Sequence, residues 1–243
     1  MPIFDAHAYW MDSPFTNAAA TRDALLAAMR RREITQAALI SGLAARCDFV
    51  SGNRALSQIL DPAAGLYGYA VLSADYPEES MQEQRRYLSH APFLGAVMFG
   101  HDGRPVTVDD AREVLNAYRR FTKPMAIRTP DADAVHAARA IVAEFPSMKF
   151  LLLGMGGDNW RTAVTVAKKH LNVSLDLSGS LDSDKVAHAA EALTPRKVLF
   201  GSGFPEADPE AILGLVETAP TVTRADRDRI LSLNAQALFN VSG

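Results

Sequence analysis

Eight short apolar runs, separated by longer amphipathic stretches, constrain this chain more than any other feature of it. They are "PIFDAH" (2–7), "QAALISGL" (36–43), "GLYGYAVLS" (65–73), "FLGAVMFG" (93–100), "PMAIRT" (124–129), "KFLLLGMG" (149–156), "NVSLDLSG" (172–179) and "KVLFGSGF" (197–204). Most are continuously apolar rather than alternating, as a parallel strand covered on both faces requires. The stretches between them read as helices. "TVDDAREVLNAYRRF" (107–121) opens on Thr107 with acidic residues at 109 and 110, then places Val114, Leu115 and Tyr118 at helical spacing. "DADAVHAARAIVAEF" (131–145) repeats the design and stops at Pro146. Helices are also predicted over 22–32, 53–60, 78–88, 160–170, 183–192 and 225–239.

Strand and helix alternating eight times in 243 residues is the size and rhythm of a (β/α)8 TIM barrel, regular or distorted, formed by one domain over 1–243. An open doubly wound sheet is the weaker alternative, because no glycine-rich phosphate loop follows an early strand. "GMGG" (154–157) lacks the G-x-G-x-x-G order, and its methionine is expected to turn into the barrel.

A formal charge of -3 gives no basic surface for nucleic acid or an anionic membrane. No run of about 18 apolar residues predicts a membrane span. The single cysteine, Cys47, excludes an intramolecular disulfide and suits a reducing compartment. With no basic-then-apolar leader at the N-terminus, the expectation is a cytoplasmic protein.

A barrel of this kind works at the C-terminal ends of its strands. The residues there are His7 and Tyr9, Ser41, Ser73 and Asp75, His101, Arg128, Met155 and Asp158, Asp176 and Ser178, and Ser202 to Glu206. "FPSMKFLLLGMGGDNWRTAVTVAKKHLNVSLDLSGS", "RKVLFGSGFPEADP" and "RDRILSLNAQALFNV", in that order and spacing, resemble the sixth to eighth strands and closing helix of the amidohydrolase superfamily, in its branch of amidohydrolase-related hydrolases and decarboxylases. The resemblance covers nearly the whole chain. It implies a metal centre built from a histidine pair ending strand 1, histidines ending strands 5 and 6, and an aspartate ending strand 8. Only His7 stands at its expected place; the other four positions carry Tyr9, Arg128, Gly154 and Gly203. A guanidinium repels a cation, glycine has no side chain, and a lone imidazole is not a cage. The expectation is no metal and no other cofactor. A re-sited metal held by His7, His101 and Asp176 is the minor alternative.

Two function classes are consistent with these residues. The first is a metal-independent hydrolase of a lactone or amide, or a lyase, acting on a small carboxylate-bearing substrate; metal-free lactonases of the superfamily show that the scaffold does not require a cation. Here Arg128 binds the carboxylate with its two-pronged fork, His7 or Asp176 moves the proton, and Tyr9 polarises the carbonyl, with His101 and Ser202 as further substrate contacts. Glu206 is the reserve carboxylate. The second is a catalytically silent subunit, structural or regulatory, paired with a metal-bearing relative. In it Arg128 fills the vacated space by pairing with Asp5 or Asp176, and Tyr9 and Trp10 plug the pocket. Self-association as a homodimer is implied by the resemblance alone. Asp158 and Asn159 read equally as a cap on the helix at Trp160, and His101–Asp102 as part of an ordinary turn. Cys47 has no histidine at a strand end to activate it.

Overall fold

A computed structural model describes residues 2–10, 21–101 and 104–242. The apolar runs form eight strands: β1 (Ile3–Trp10), β2 (Ile34–Ser41), β3 (Leu66–Leu72), β4 (Phe93–Met98), β5 (Met125–Arg128), β6 (Phe150–Leu153), β7 (Val173–Asp176) and β8 (Val198–Leu199). They lie side by side in chain order, every neighbouring pair parallel. β8 returns to β1 through a short seam. The Ala6 amide donates to the Phe200 carbonyl (2.9 Å), Gly203 to His7 (2.7 Å) and Tyr9 to Phe204 (2.6 Å). These bonds close the (β/α)8 TIM barrel that the alternation predicts.

The outer layer comprises α1 (Arg22–Arg31), α2 (Gly42–Arg46), α3 (Phe49–Ser57), α4 (Pro77–Tyr87), α5 (Val108–Tyr118), α6 (Ala132–Glu144), α7 (Trp160–Lys169), α8 (Asp184–Leu193), α9 (Pro209–Thr218), α10 (Arg224–Asp228) and α11 (Asn234–Phe239). Their starts reflect local chemistry. Thr107 and Asp110 form a reciprocal capping box on α5, Thr223 and Asp226 another on α10, and Asp131 accepts from the Ala134 amide to start α6.

Strand side chains divide between two buried clusters, because successive residues point to opposite faces. Ala38, Ile40, Tyr69, Ala126, Leu151, Leu153 and Leu199 meet inside the barrel, while Leu39, Leu72, Ile127, Leu152 and Val198 pack outward against the helices. By the same alternation Arg128 and Asp176 end their strands on the inner face. At the opposite end, Phe239 of α11 stacks on Phe4 (5.6 Å) and meets Tyr69 edge-on (5.9 Å), plugging the barrel floor.

Several local expectations are corrected. The runs 149–156, 172–179 and 197–204 leave the sheet at Leu153, Asp176 and Leu199. The residues after those points are small and apolar like a strand, yet Gly154 (φ 82°) and Gly179 (φ 96°) turn the backbone into the left-handed region that glycine enters freely. Met155 does not turn into the barrel; it is fully buried in the outer layer with Val135 and Trp160. Trp10 also belongs to that layer and does not plug the mouth. The helix over 53–60 begins earlier, at Phe49, and α9 is an addition to the predicted helices, although its buried Ile212, Leu213 and Val216 stand at helical spacing. The segment 225–239 is broken by a π-helical turn at Arg229–Leu233. Asn159 precedes α7 without a side-chain capping bond. Asp102 lies outside the described residues. Among the described residues no helix is long and apolar enough to cross a membrane.

Candidate functional site

Residues of β1 and β7 and the turn after β6 meet beneath the barrel mouth. β1 delivers His7, whose Nδ1 lies 2.8 Å from Asp176 Oδ2 at the end of β7 and 2.9 Å from Ser178 Oγ just beyond it. All three are buried. Asp176 is held from a second side: its Oδ1 accepts the Gly154 amide at 2.7 Å, and the Ser178 hydroxyl donates to the carboxylate at 2.8 Å. Gly201 stands behind this pair, where an added Cβ would lie 2.5 Å from Asp176 Oδ2. The imidazole is therefore clamped through Nδ1, while its Nε2 is buried without a hydrogen-bond partner among the described residues. An anchored ring with one nitrogen to spare can take up or release a proton at that nitrogen without moving.

Tyr9 packs edge-on against the His7 ring at 5.0 Å. Burial pushes its hydroxyl pKa well up, so it stays protonated and can only donate or accept a hydrogen bond.

Arg128, ending β5, is the nearby cation. Its Nη2 lies 3.4 Å from Glu206 Oε2 in the loop after β8, and it is 22% exposed. This corrects the expected pairing with Asp5 or Asp176. Its other terminal nitrogen lies against the bare Cα of Gly154: a Cβ built there would stand 2.3 Å from Nη1. The guanidinium thus occupies volume that any larger residue at 154 would claim. Beside it opens a cavity of about 280 Å³ whose lining includes Phe99, Arg104, Arg128, Pro130, Asp131 and Asp133.

Ser202 is committed inward. Its amide and hydroxyl donate to Asp5 at 2.9 and 2.5 Å, and the His7 amide donates to the same carboxylate at 3.1 Å. Burial raises the Asp5 pKa to about 6, partly offset by those hydrogen bonds. Asp5 and Ser202 together tie β1 to the loop after β8, under the seam. His101 stands apart, exposed, 3.5 Å from Asp75 through Nδ1.

Lys185, in the first turn of α8, has no visible signal in the sequence: "SDKVAHAA" reads as an ordinary solvated helix start. It is fully buried, and its ammonium donates to the Leu177 and Ser180 carbonyls, bracing the loop that carries Ser178. Burial lowers its pKa to about 8. Ser178 is legible as a strand-end residue, but its bond to His7 joins residues 171 positions apart.

The donors gathered here do not fit the metal centre that the family implies. Among the described residues His7 Nε2 is the one imidazole nitrogen left open here; at the other positions where the resemblance implies ligands, Tyr9 and Arg128 are not histidines, Gly154 and Gly203 have no side chain, and the position over Gly154 is filled by a cation. Among the described residues no three His, Cys, Asp or Glu side chains gather as a metal would need, so His7, His101 and Asp176 do not assemble as the re-sited trio.

The amidohydrolase family's sequence profile matches residues 4–241, and the chain belongs to that family. No curated protein matches it in sequence. Its fold is that of several solved decarboxylases. A 2,6-dihydroxybenzoate decarboxylase solved with 2,6-dihydroxybenzoate superposes with a TM-score of 0.80 at 15% identity, covering 99% of each chain. The 2,6-dihydroxybenzoate decarboxylase from Rhizobium gives 0.79 at 15% identity over 100% of this chain and 99% of the other. The 5-carboxyvanillate decarboxylase from Sphingomonas paucimobilis gives 0.74 at 14% identity over 99% of each.

Proposed function

We propose that the chain is a metal-independent hydrolase or lyase acting on a small carboxylate-bearing substrate. The observation that carries this reading is the His7 imidazole, clamped by Asp176 and Ser178 through Nδ1 with Nε2 left unpartnered. In this reading His7 is the proton-transfer group and Asp176 sets its tautomer and orientation. Arg128 exchanges Glu206 for the substrate carboxylate, which its fork can hold through two parallel bonds. Tyr9 donates to the oxygen on which charge develops. Aromatic carboxylates are sensible first substrates beside lactones and amides, since solved structures that share this fold include dihydroxybenzoate decarboxylases.

One observation favours the second reading, a catalytically silent subunit: His7 is fully buried and Tyr9 is 5% exposed, so substrate reaches them only if the mouth opens. That reading calls for a homodimer or a complex with a related, metal-bearing chain. For either reading we place the protein in the cytoplasm, on the single free cysteine.

The experiment is turnover of small lactones, amides and hydroxybenzoates by protein stripped with a chelator. Activity should survive stripping and fall by about a hundredfold or more in His7→Gln and Arg128→Met. Activity that returns only on adding a divalent cation would overturn metal independence. Absence of turnover, with carboxylate binding unaltered by Arg128→Met, would leave the silent reading standing.

A further inference from the structure

The outer wall of the barrel carries a groove between α6 and α7 that the chemistry at the mouth does not use. His136 and Arg139 line it from α6, Arg161 and Lys169 from α7, around a hollow of about 280 Å³. A broader hollow beside it shares His136, Arg139 and Lys169 and adds His170. Helical spacing explains the convergence. Positions 136, 139, 140 and 143 run along one stripe of α6, and 161, 165 and 169 along one stripe of α7 at steps of four. Small residues keep the space open: Ala140, Ala143, Thr162 and Thr165 leave a trough, with the buried Val166 in its floor.

The charge pattern is the unusual part. One helix pair earlier the chain matches opposite charges, with Arg112 of α5 bonded to Glu144 of α6 at 2.7 Å and to Asp109 at 2.7 Å. Across α6 and α7 both walls are basic, and among the described residues no acidic one lines either hollow. Arg139 and Lys169 form no ion pair with any described residue. Arg161, at one end, lies over the Trp160 ring at 4.0 Å and reaches Asp182 only at 4.0 Å. Like charges facing one another repel, and a chain of net charge -3 does not place them together by composition alone. An anion between the walls would remove that repulsion.

We propose that this groove binds a small polyanion carrying two or more phosphate-type groups. One carboxylate saturates a single guanidinium fork. Cationic donors from two walls are better matched by tetrahedral oxyanions, which accept from several directions at once. The groove is separate from the mouth, and the inference does not rest on the reaction proposed above.

The test is calorimetric titration of the full chain with inorganic pyrophosphate at physiological salt, with citrate as the carboxylate counterpart. Both target side chains are exposed, so the Arg139→Ala/Lys169→Ala variant should fold, which circular dichroism checks. Saturable binding of pyrophosphate, weakened at least about tenfold in that variant and unchanged in Arg128→Met, is the expected result. Three results would overturn the inference: no saturable binding, equal binding by the double variant, or loss of binding in Arg128→Met instead. Citrate binding more tightly than pyrophosphate would reject the phosphate class.

Discussion

Arg128 and Gly154 are best understood as one unit. The guanidinium rests where a side chain at 154 would begin, and Gly154 adopts φ 82°, so Gly154→Ala meets both a collision and a conformational penalty. We expect about 2–3 kcal/mol of destabilisation in urea unfolding, shrinking to the conformational part, about 1 kcal/mol, when Arg128→Met removes the colliding nitrogen. Equal costs in both backgrounds would show that the two positions are uncoupled. Asp5 makes a second residue-level prediction. Its folded-state pKa, about 6, lies above its ordinary value, so the folded protein binds the proton more tightly than the unfolded chain. This contribution is present below about pH 4 and is lost as pH rises towards about 6, a decline worth about 3 kcal/mol. Asp5→Asn should remove that component, seen as a flatter dependence of unfolding free energy on pH over this window.

At the scale of elements, the helices and strands were largely legible, because each arises from a local period and a local cap. The errors fall where local pattern and long-range pairing disagree. "GMGG" (154–157) and "LSGS" (177–180) could extend a strand, yet the ladders stop at Leu153 and Asp176, and the glycines bend away to form the mouth. A further link between elements had no sequence signal. Asn53, buried in α3, donates to the Val71 carbonyl (2.9 Å), accepts the Val71 amide (2.8 Å) and donates to Glu83 of α4 (3.0 Å). Its amide serves as a strand partner for β3 beyond Gly68, the last β3 residue paired with β2. Asn53→Ala strands the peptide groups of Val71 and the Glu83 carboxylate, and should cost about 2–4 kcal/mol in chemical denaturation. A cost under about 0.5 kcal/mol would show that water or a neighbour replaces it.

Across the whole molecule, the two ends of the barrel are built differently. The floor is apolar, sealed where Phe239 meets Phe4 and Tyr69, and the mouth is polar, with His7, Asp176, Ser178 and Arg128. Removing Phe239 should therefore weaken the fold and leave the chemistry alone. Phe239→Ala is expected to lose about 3–4 kcal/mol of stability, with carboxylate binding by the folded fraction unaltered. A matching loss of binding would mean that floor and mouth are coupled through the strands.

The amino-acid order alone determined that eight parallel strands alternate with helices, and that Arg128 and Asp176 stand at strand ends, whereas β1 runs three residues past His7 to Trp10; periodicity and capping act over a few residues and need no distant partner. It also carried the side-chain types of Tyr9, Arg128, Gly154 and Gly203, none of them a histidine or a carboxylate, since chemistry belongs to each residue wherever it lies. The tertiary structure decided the pairings. His7 bonds to Asp176 across 169 residues, Ser202 turns inward to Asp5, and Arg128 takes Glu206 rather than either aspartate. Those choices depend on barrel closure, which places groups side by side by register and shape rather than by their order in the chain.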